Sequence, residues 1–463
     1  MKYAYARLPE DIKKSINMGM FQTAREIINR LLTKDIPQDL KERLEYEIER
    51  MERIRKDYNI PEDEARDILK KEIPGFNDSM FRDWVRKGYL DFIIIDGKKY
   101  FYRRFLWNLL FLCKEEPCIK IKEKKNRQRE KMRASLREHI AQIESLNTEG
   151  YVLPRRVHVS MTVRLKPGCV PDGEIIRCWL PFPRENEQQR SVNLIRSTPR
   201  EYILAPPDHP QRTIYFEQKA SSDKPIEFKV EFEYTVYAFY ARINPKDIKQ
   251  YDEESELYQI YTKEQPPHIV FTRYIRDLAR EIVGDEENPY LKAKKIYEWI
   301  IRNMTYTYVA EYSTYESICE YVSRNLRGDC GFHAILFITL CRAEGIPARW
   351  QSGWYANPIA DGPSPHDWAQ FYVEPFGWLY VDPSFGRGWL ERDMRVSKFY
   401  FGNIDNFRTV FNTDIMTQFH PPKKYLRSDP VDNQRGELEW KKGNIYYDCF
   451  EYEIKYVREQ NQH

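Results

Sequence analysis

An apolar segment at residues 332–341 constrains this chain more than any other feature of its sequence. The segment is apolar almost without interruption, so a helix formed there has no face suited to water. Gly345 and Pro347 follow closely and predict where that helix ends. We therefore expect a helix that is buried on all sides and around which the neighbouring elements pack.

Cys330 stands at the start of this predicted helix, in the sequence Arg-Gly-Asp-Cys-Gly at 327–331. Unpaired N–H groups and the helix dipole favour a thiolate at such a position. A thiolate acts as a nucleophile when a base and an orienting group lie beside it. Downstream segments supply both residue types, with His366 before Asp-Trp and Asp382 before Pro383. We predict a catalytic site composed of Cys330, His366 and Asp382.

Two strand-like segments, 368–373 and 378–381, predict how the last two residues meet. A short connection joins the segments, which is typical of an antiparallel hairpin. His366 precedes the first strand and Asp382 follows the second, so the hairpin places them side by side. We expect Asp382 to orient the imidazole and His366 to face Cys330.

Further residues are predicted to support this site. An oxyanion formed during acyl transfer needs hydrogen-bond donors, and the backbone N–H of Cys330 and a side chain near Tyr306 are the candidates. Trp354 and Trp368 are expected to line a groove for a peptide or polymer substrate.

Each catalytic candidate also has a purely structural interpretation. A single cysteine in a buried helix often only packs, and we expect a packing role for His333, three positions after Cys330. Asp382 before Pro383 could simply begin a turn. The order of helix start, strand and adjacent strand nevertheless favours a catalytic site.

The pattern of the chain changes along its length, which predicts a multidomain α+β protein. With 463 residues, 41% of them hydrophobic, the chain is long enough for several domains. Residues 1–150 predict a helical domain, in which two short helices and an Asp-Gly hairpin resemble a winged helix. Alternating strands predict a β-sandwich over 151–262. A mixed catalytic core is expected over 263–400 and a β-rich C-terminal extension over 401–463.

A basic run precedes the predicted sandwich. Its members are Lys120, Lys122, Lys124, Lys125, Arg127, Arg129, Lys131, Arg133 and Arg137. Nucleic-acid contact is one interpretation, and a solvated helix or linker is the other. No aromatic residue lies between these charges and the net charge is only +3, so we expect no nucleic-acid partner. The N-terminal domain is instead expected to serve a protein partner.

The eight cysteines include no Cys-x-x-Cys pair, and their spacing matches neither a disulfide framework nor a zinc site. We expect free thiols, no metal and no cofactor. The longest apolar stretch, near 105–113, is far shorter than the ~20 residues of a membrane span, and the N-terminus lacks a signal-peptide core. A cytoplasmic protein without a transmembrane segment is the expectation for the sequence as it stands, although a secretion signal removed from it would leave the same pattern.

Several motifs together resemble the core of the transglutaminase-like superfamily, over about residues 265–390. They are Arg-Gly-Asp-Cys at 327–330, Cys-Arg-Ala-Glu-Gly-Ile-Pro-Ala-Arg at 341–349, His-Asp-Trp at 366–368, Gly-Trp at 377–378 and Asp-Pro at 382–383. The resemblance implies a papain-like α+β fold in which Cys330 is the nucleophile, His366 the base and Asp382 the orienting acid. Bacterial members with a β-domain before the core have a similar layout.

The resemblance leaves the reaction open, because members of the family cross-link glutamine to lysine, deamidate, cleave peptides or other amides, or have lost activity. Calcium-dependent cross-linkers use acidic loops, and no EF-hand-like spacing occurs in this sequence. We therefore expect hydrolysis of a peptide or other amide. A cross-linking enzyme with a lysine-bearing acceptor and a scaffold protein built around an inactive core are the alternatives.

Overall fold

The computed structural model describes residues 6–124, 127–221 and 224–457. Its helices are α1 (Glu10–Asn17), α2 (Phe21–Leu32), α3 (Gln38–Asp57), α4 (Glu62–Glu72), α5 (Asp78–Arg86), α6 (Phe105–Leu112), α7 (Glu116–Lys124), α8 (Arg127–Ser145), α9 (Glu256–Tyr261), α10 (Arg273–Val283), α11 (Pro289–Asn303), α12 (Ile318–Asn325), α13 (Cys330–Ala343), α14 (Pro383–Trp389) and α15 (Met394–Phe399). Its strands are β1 (Tyr58–Pro61), β2 (Phe92–Ile95), β3 (Lys98–Tyr102), β4 (Gly150–Leu165), β5 (Ile175–Pro181), β6 (Gln189–Thr198), β7 (Ile203–Leu204), β8 (Thr213–Lys219), β9 (Glu227–Tyr240), β10 (Thr305–Tyr306), β11 (Arg327–Gly328), β12 (Ala348–Tyr355), β13 (Ser364–Val373), β14 (Gly377–Val381), β15 (Phe401–Gly402), β16 (Arg408–Asn412), β17 (Glu437–Trp440), β18 (Gly443–Ile445) and β19 (Phe450–Tyr456). A helical N-terminal region, a β-sandwich and a mixed core confirm the predicted multidomain α+β fold.

The N-terminal region contains the arrangement expected of a winged helix. Strand β1 is followed by α4, α5 and the hairpin β2–β3, and the three strands form a sheet of order β1-β3-β2. Asp96 and Gly97 have positive φ angles of 49° and 81°, as a two-residue hairpin turn requires. The cap of α5 is Asn77 rather than Asp78, because the Asn77 side chain accepts hydrogen bonds from two N–H groups of the first turn.

Two sheets of strand order β18-β17-β5-β8-β7 and β19-β4-β9-β6 form the sandwich. The long strands β4 and β9 bury alternate residues over much of their length, as their sequences predict. Strands from the C-terminal region join both sheets, since β17 pairs with β5 and β19 pairs with β4. The C-terminal strands therefore belong to the sandwich, although the core separates them in the sequence from the other sandwich strands.

A five-stranded antiparallel sheet of order β15-β14-β13-β12-β16 forms the core together with the helices packed on it. Helix α13 is buried along nearly its whole length, as its apolar sequence predicts. Its residues share one hydrophobic cluster with residues of α10, α11 and β12 to β14. This packing holds the N-terminus of α13, and with it Cys330, against the sheet that carries His366.

Helix α8 follows the N-terminal region but packs on the core. Leu136, Ile140 and Ile143 are buried in the same hydrophobic cluster as α13. Arg129, Lys131, Arg133 and Arg137 are therefore carried on a helix that packs on the core. One member of the basic run, Lys125, lies outside the described residues, as do the side chains of Lys120, Lys122, Lys124 and Arg127.

One expectation about the cysteines is wrong, because Cys113 and Cys118 form a disulfide between α6 and α7. The short connection between these helices brings the two Cα atoms to 6.1 Å, a separation that a disulfide can span. The other six cysteines are free.

Helix α6 is strongly apolar but has only 8 residues. Among the described helices, none combines the length and the apolar character that crossing a membrane requires.

Candidate active site

Cys330 is the first residue of α13, and local hydrogen bonds fix its position. The Asp329 side chain caps the helix by accepting a hydrogen bond from the N–H of Phe332. Strand β10 pairs in parallel with β11 and places Tyr306 opposite Gly328. Cys330 is only 9% exposed, so its thiol is almost removed from solvent.

The thiol of Cys330 donates a hydrogen bond to Asp367, with 3.3 Å between Sγ and Oδ2. Burial and the carboxyl groups of Asp367 and Asp329 raise the pKa of this thiol well above its ordinary value. The expectation of a resting thiolate is therefore wrong for this structure. The N-terminus of α13 does favour a thiolate, but desolvation and two neighbouring carboxyl groups outweigh it.

Asp367 is itself buried among polar and acidic residues. Its Oδ2 accepts a hydrogen bond from Tyr312 at 3.1 Å, and its Oδ1 accepts one from the Gln434 amide. Burial and the nearby Asp432 and Asp329 raise the pKa of Asp367 well above its ordinary value. Burial and neighbouring carboxyl groups therefore oppose ionisation of both the Cys330 thiol and Asp367.

His366 and Asp382 form a direct hydrogen bond, with 2.7 Å between Nε2 and Oδ2. The register of β13 and β14, which pairs Ala369 with Val381, brings the ends of the hairpin strands together. Burial alone would raise the pKa of Asp382, but His366 and Arg408 lower it well below its ordinary value. Burial lowers the pKa of His366 in spite of Asp382, so the imidazole is neutral near neutral pH. Its Nδ1 has no hydrogen-bond partner among the described residues.

Arg408 supports this pair, although it lies far from both residues in the sequence. It is fully buried and donates hydrogen bonds of 2.8 Å to Asp382 Oδ2 and to Asp405 Oδ2. Its guanidinium also lies over the rings of Tyr355, Trp368, Phe385 and Tyr400. An arginine at the start of a buried strand is the only signal in the sequence that could have indicated this role.

Two neighbouring cavities lie beside these residues. The Cys330 cavity, into which Cys330 and Asp367 face, has a volume of about 340 Å³. The His366 cavity, which His366 lines, has a volume of about 300 Å³ and a mainly aromatic wall. Tyr306 and Tyr308 line both cavities and so belong to a wall that the two cavities share.

Comparison with known families identifies the part of the chain that carries this geometry. Residues 276–383 match the model of the transglutaminase-like superfamily. This core is transglutaminase-like. The matched residues include Cys330, His366 and Asp382, and the match confirms the family resemblance expected from the motifs.

Three known proteins are similar to parts of this chain. An uncharacterized protein of Haemophilus influenzae is 25% identical over 231 residues, which are 44% of this chain and 61% of that protein. The uncharacterized protein YebA of Bacillus subtilis is 23% identical over 129 residues, which are 24% of this chain and 17% of that protein. The chain thus spans less than two thirds of the length of the curated relatives it matches. The crystal structure of a candidate cysteine protease from Cytophaga hutchinsonii matches with a TM-score of 0.45 and 16% identity, over 67% of this chain and 92% of that one.

The structure corrects the prediction that Trp354 and Trp368 line a groove of the transglutaminase-like core. Both rings are fully buried. Trp354 donates to the carbonyl of Gln434 at 2.9 Å and packs on the sandwich residue Phe232. Trp368 stacks on His366 with 5.9 Å between ring centroids. The two residues therefore support the site from within, because β12 and β13 are covered on the faces that carry these rings.

The transglutaminase-like core brings His366 and Asp382 into contact, but it does not bring Cys330 and His366 into hydrogen-bond contact. Among the described residues, the side-chain partner of the thiol is Asp367. Tyr306, the predicted oxyanion-side residue, lines both cavities. His333 donates from Nδ1 to the carbonyl of Asp329 at 2.7 Å and is buried within α13, which agrees with a packing role.

Proposed function

We propose that this chain hydrolyses peptide or other amide bonds with Cys330 as nucleophile, His366 as base and Asp382 as orienting acid. The observation that supports this most strongly is the buried series Arg408–Asp382–His366, which holds Nε2 of the imidazole and leaves Nδ1 without a partner among the described residues. A histidine with one fixed nitrogen and one free nitrogen can accept a proton and return it during acyl transfer.

In this mechanism the thiol of Cys330 first turns from Asp367 toward His366. Nδ1 takes the thiol proton, and the sulfur attacks the carbonyl carbon of the amide. The backbone N–H of Cys330, at the N-terminus of α13, donates to the oxyanion. The imidazolium then gives its proton to the leaving nitrogen as the C–N bond breaks, and a thioester remains. Water, deprotonated by His366, hydrolyses the thioester and restores the thiol.

An activated ester tests this proposal without knowledge of the natural substrate. p-Nitrophenyl acetate is a small acyl donor, and peptide mass mapping can locate the acetyl group on Cys330. We expect acetylation and turnover in the wild type, no acetylation of position 330 in Cys330→Ala, and turnover about 10²–10⁴-fold lower in His366→Ala. Cys449→Ala, which removes a half-buried free thiol of the sandwich, is the control and should behave as the wild type.

Acetylation of other cysteines in place of Cys330, or equal turnover in the wild type and His366→Ala, would contradict the proposal. Cadaverine added to the same reaction distinguishes the two acyl-transfer reactions. Release of acetate supports a hydrolase, whereas formation of N-acetylcadaverine identifies a transferase that uses amine acceptors.

A further inference from the structure

Two members of the basic run, Arg129 and Arg133, line the His366 cavity. They lie four residues apart on α8 and so share one face of the helix. Most of the remaining wall is aromatic and consists of Phe111, Tyr306, Tyr308, Tyr355, Phe385 and Trp389. The cavity thus combines ring surfaces with guanidinium groups.

Arg133 has a charged partner among the described residues, whereas Arg129 has none there. Arg133 forms an ion pair with Glu130. Arg129 is half-buried, and in the described part of the chain no carboxylate or other acceptor pairs with its guanidinium. A guanidinium presents five N–H donors in a planar arrangement that fits a carboxylate. Arg129 therefore offers a guanidinium that pairs with none of the described residues and that can bind an anion.

Helix α8 is anchored on both sides of Arg129, so the position of this charge is set by the fold. The Gln128 amide donates to the carbonyl of Ile359 at 2.9 Å, and the carbonyl of Met132 accepts from the Asn357 amide at 3.3 Å. The buried leucine and isoleucine residues of α8 pack in the core cluster. Side chains held on a fixed helix recognise ligand geometry better than side chains on a loop.

The two cavities differ in the charge of their walls. Five carboxyl groups line the Cys330 cavity, those of Glu311, Asp329, Asp367, Asp429 and Asp432. Two of the three arginines in that wall, Arg103 and Arg435, are paired with Glu311. Among the described residues, no carboxyl group lines the His366 cavity. An anionic part of a substrate is therefore favoured in the His366 cavity.

The His366 cavity is on the leaving-group side of the proposed reaction, because His366 protonates the leaving nitrogen. We propose that this cavity binds the C-terminal amino acid of a peptide, with its α-carboxylate on Arg129 and its side chain among the aromatic rings. A volume of about 300 Å³ suits a single residue. Hydrolysis then breaks the last peptide bond of the peptide. The nitrogen leaves with a proton from His366, and water supplies the hydroxyl of the new carboxyl group on the acyl part. The cleavage rests on the proposed function, but the carboxylate site does not.

Binding to the Cys330→Ala protein tests the carboxylate site without catalysis. The probes are N-acetylphenylalanine and its uncharged analogue N-acetylphenylalaninamide, titrated by calorimetry at neutral pH. We expect the acid to bind at least about tenfold more tightly than the amide, and Arg129→Ala to reduce this ratio to less than about twofold. Lys131→Ala, which removes an exposed charge from the same helix, should leave the ratio unchanged.

Equal binding of the acid and the amide, an unchanged ratio in Arg129→Ala, or no binding of either probe at millimolar concentration would overturn the carboxylate site. Hydrolysis of N-acetylalanyl-phenylalanine and of its C-terminal amide by the wild type then tests the cleavage. If the protein binds the acid through Arg129 but is not acetylated at Cys330, the carboxylate site is supported and the proposed function is contradicted. If the protein is acetylated at Cys330 but does not prefer the acid, the proposed function is supported and the carboxylate site is contradicted.

Discussion

Asp367 contacts the thiol of Cys330 and follows His366 directly in the sequence. Successive side chains of a strand point to opposite faces, and accordingly His366 lines one cavity and Asp367 the other. Strand β13 thus carries the proposed base on one face and, on the other, a group that opposes ionisation of the nucleophile. Ionisation of Cys330 therefore depends on a residue that is not part of the proposed triad.

We predict that Asp367→Asn lowers the pKa of the Cys330 thiol. Asparagine cannot carry a negative charge, and its amide can donate to a thiolate while its oxygen keeps the contact with Gln434. The rate of alkylation of Cys330 by iodoacetamide at neutral pH should rise about three- to tenfold, measured by peptide mass mapping. Asp432→Asn, a change in another buried carboxyl group of the same cavity, is the matched control. An unchanged or slower reaction in Asp367→Asn would show that Asp367 does not keep the proton on sulfur.

Arg408 is a positioning residue, because it acts on His366 through Asp382. It lowers the pKa of Asp382 and that of His366, so its loss raises both values. The proposed reaction needs ionised Asp382 and neutral His366. Without Arg408, each group loses its proton only at a higher pH. We predict that Arg408→Gln shifts the acid limb of kcat/KM for p-nitrophenyl acetate to higher pH, and that Arg408→Lys shifts it less.

The pH profile separates this role of Arg408 from simple support of the fold. Thermal unfolding of both variants shows whether they are folded, and only folded variants are compared. If the acid limb of both folded variants coincides with that of the wild type, Arg408 does not act on the proposed triad.

At the scale of elements, helix α14 determines how Asp382 is presented. Asp382 is the N-cap of this helix, and its Oδ1 accepts a hydrogen bond from the N–H of Phe385 at 2.9 Å. Its Oδ2 meanwhile accepts from His366. Asp382 therefore has both of the roles that its sequence position suggested. It begins the turn into α14, and this helix cap orients the carboxylate toward His366.

Two glycines of α14 test how closely this helix packs. A Cβ at Gly386 would overlap the side chain of Tyr297 in α11, whereas a Cβ at Gly388 would meet no atom within 4 Å. We predict that Gly386→Ala lowers the free energy of unfolding by about 1–3 kcal/mol. Gly388→Ala, the matched control, should leave it unchanged or raise it by up to about 1 kcal/mol, because alanine favours a helix. Urea denaturation measures both, and equal effects would contradict the packing of α14 against α11.

At the scale of the whole molecule, the N-terminal region forms part of the site environment. Asn108 of α6 is fully buried and exchanges two hydrogen bonds with the backbone of Tyr308, at 2.8 and 2.9 Å. Arg103 forms an ion pair with Glu311 at 2.7 Å. Tyr308 lines both cavities, so the N-terminal region helps to set the wall between them. Whether this region also binds a protein partner stays a prediction.

We predict that Asn108→Leu weakens the attachment of this region to the core. The substitution leaves the N–H and C=O of Tyr308 without their buried partner, which costs about 2–5 kcal/mol of the free energy of unfolding. Urea denaturation measures the loss. Asn325→Ala, which removes an exposed amide, is the control and should change stability by less than about 0.5 kcal/mol. A loss within the control range would contradict a structural role for Asn108.

The sequence by itself determined those parts of the structure that depend on neighbours along the chain. Alternation predicted the long strands β4 and β9, and the Asp-Gly pair predicted the hairpin β2–β3. The apolar run predicted the buried helix α13. Even the contact between His366 and Asp382 was predictable, because a short hairpin brings the ends of its two strands together.

Only the tertiary structure decided which groups surround those residues. Arg408 reaches Asp382 from a strand that is 26 positions away, and Asp367 reaches the thiol across 37 positions. The burial of Trp354 and the position of Arg129 in the His366 cavity likewise depend on elements packed against them. Such contacts depend on which elements pack against each face of a strand or helix. Local periodicity contains no information about partners that are distant in the chain.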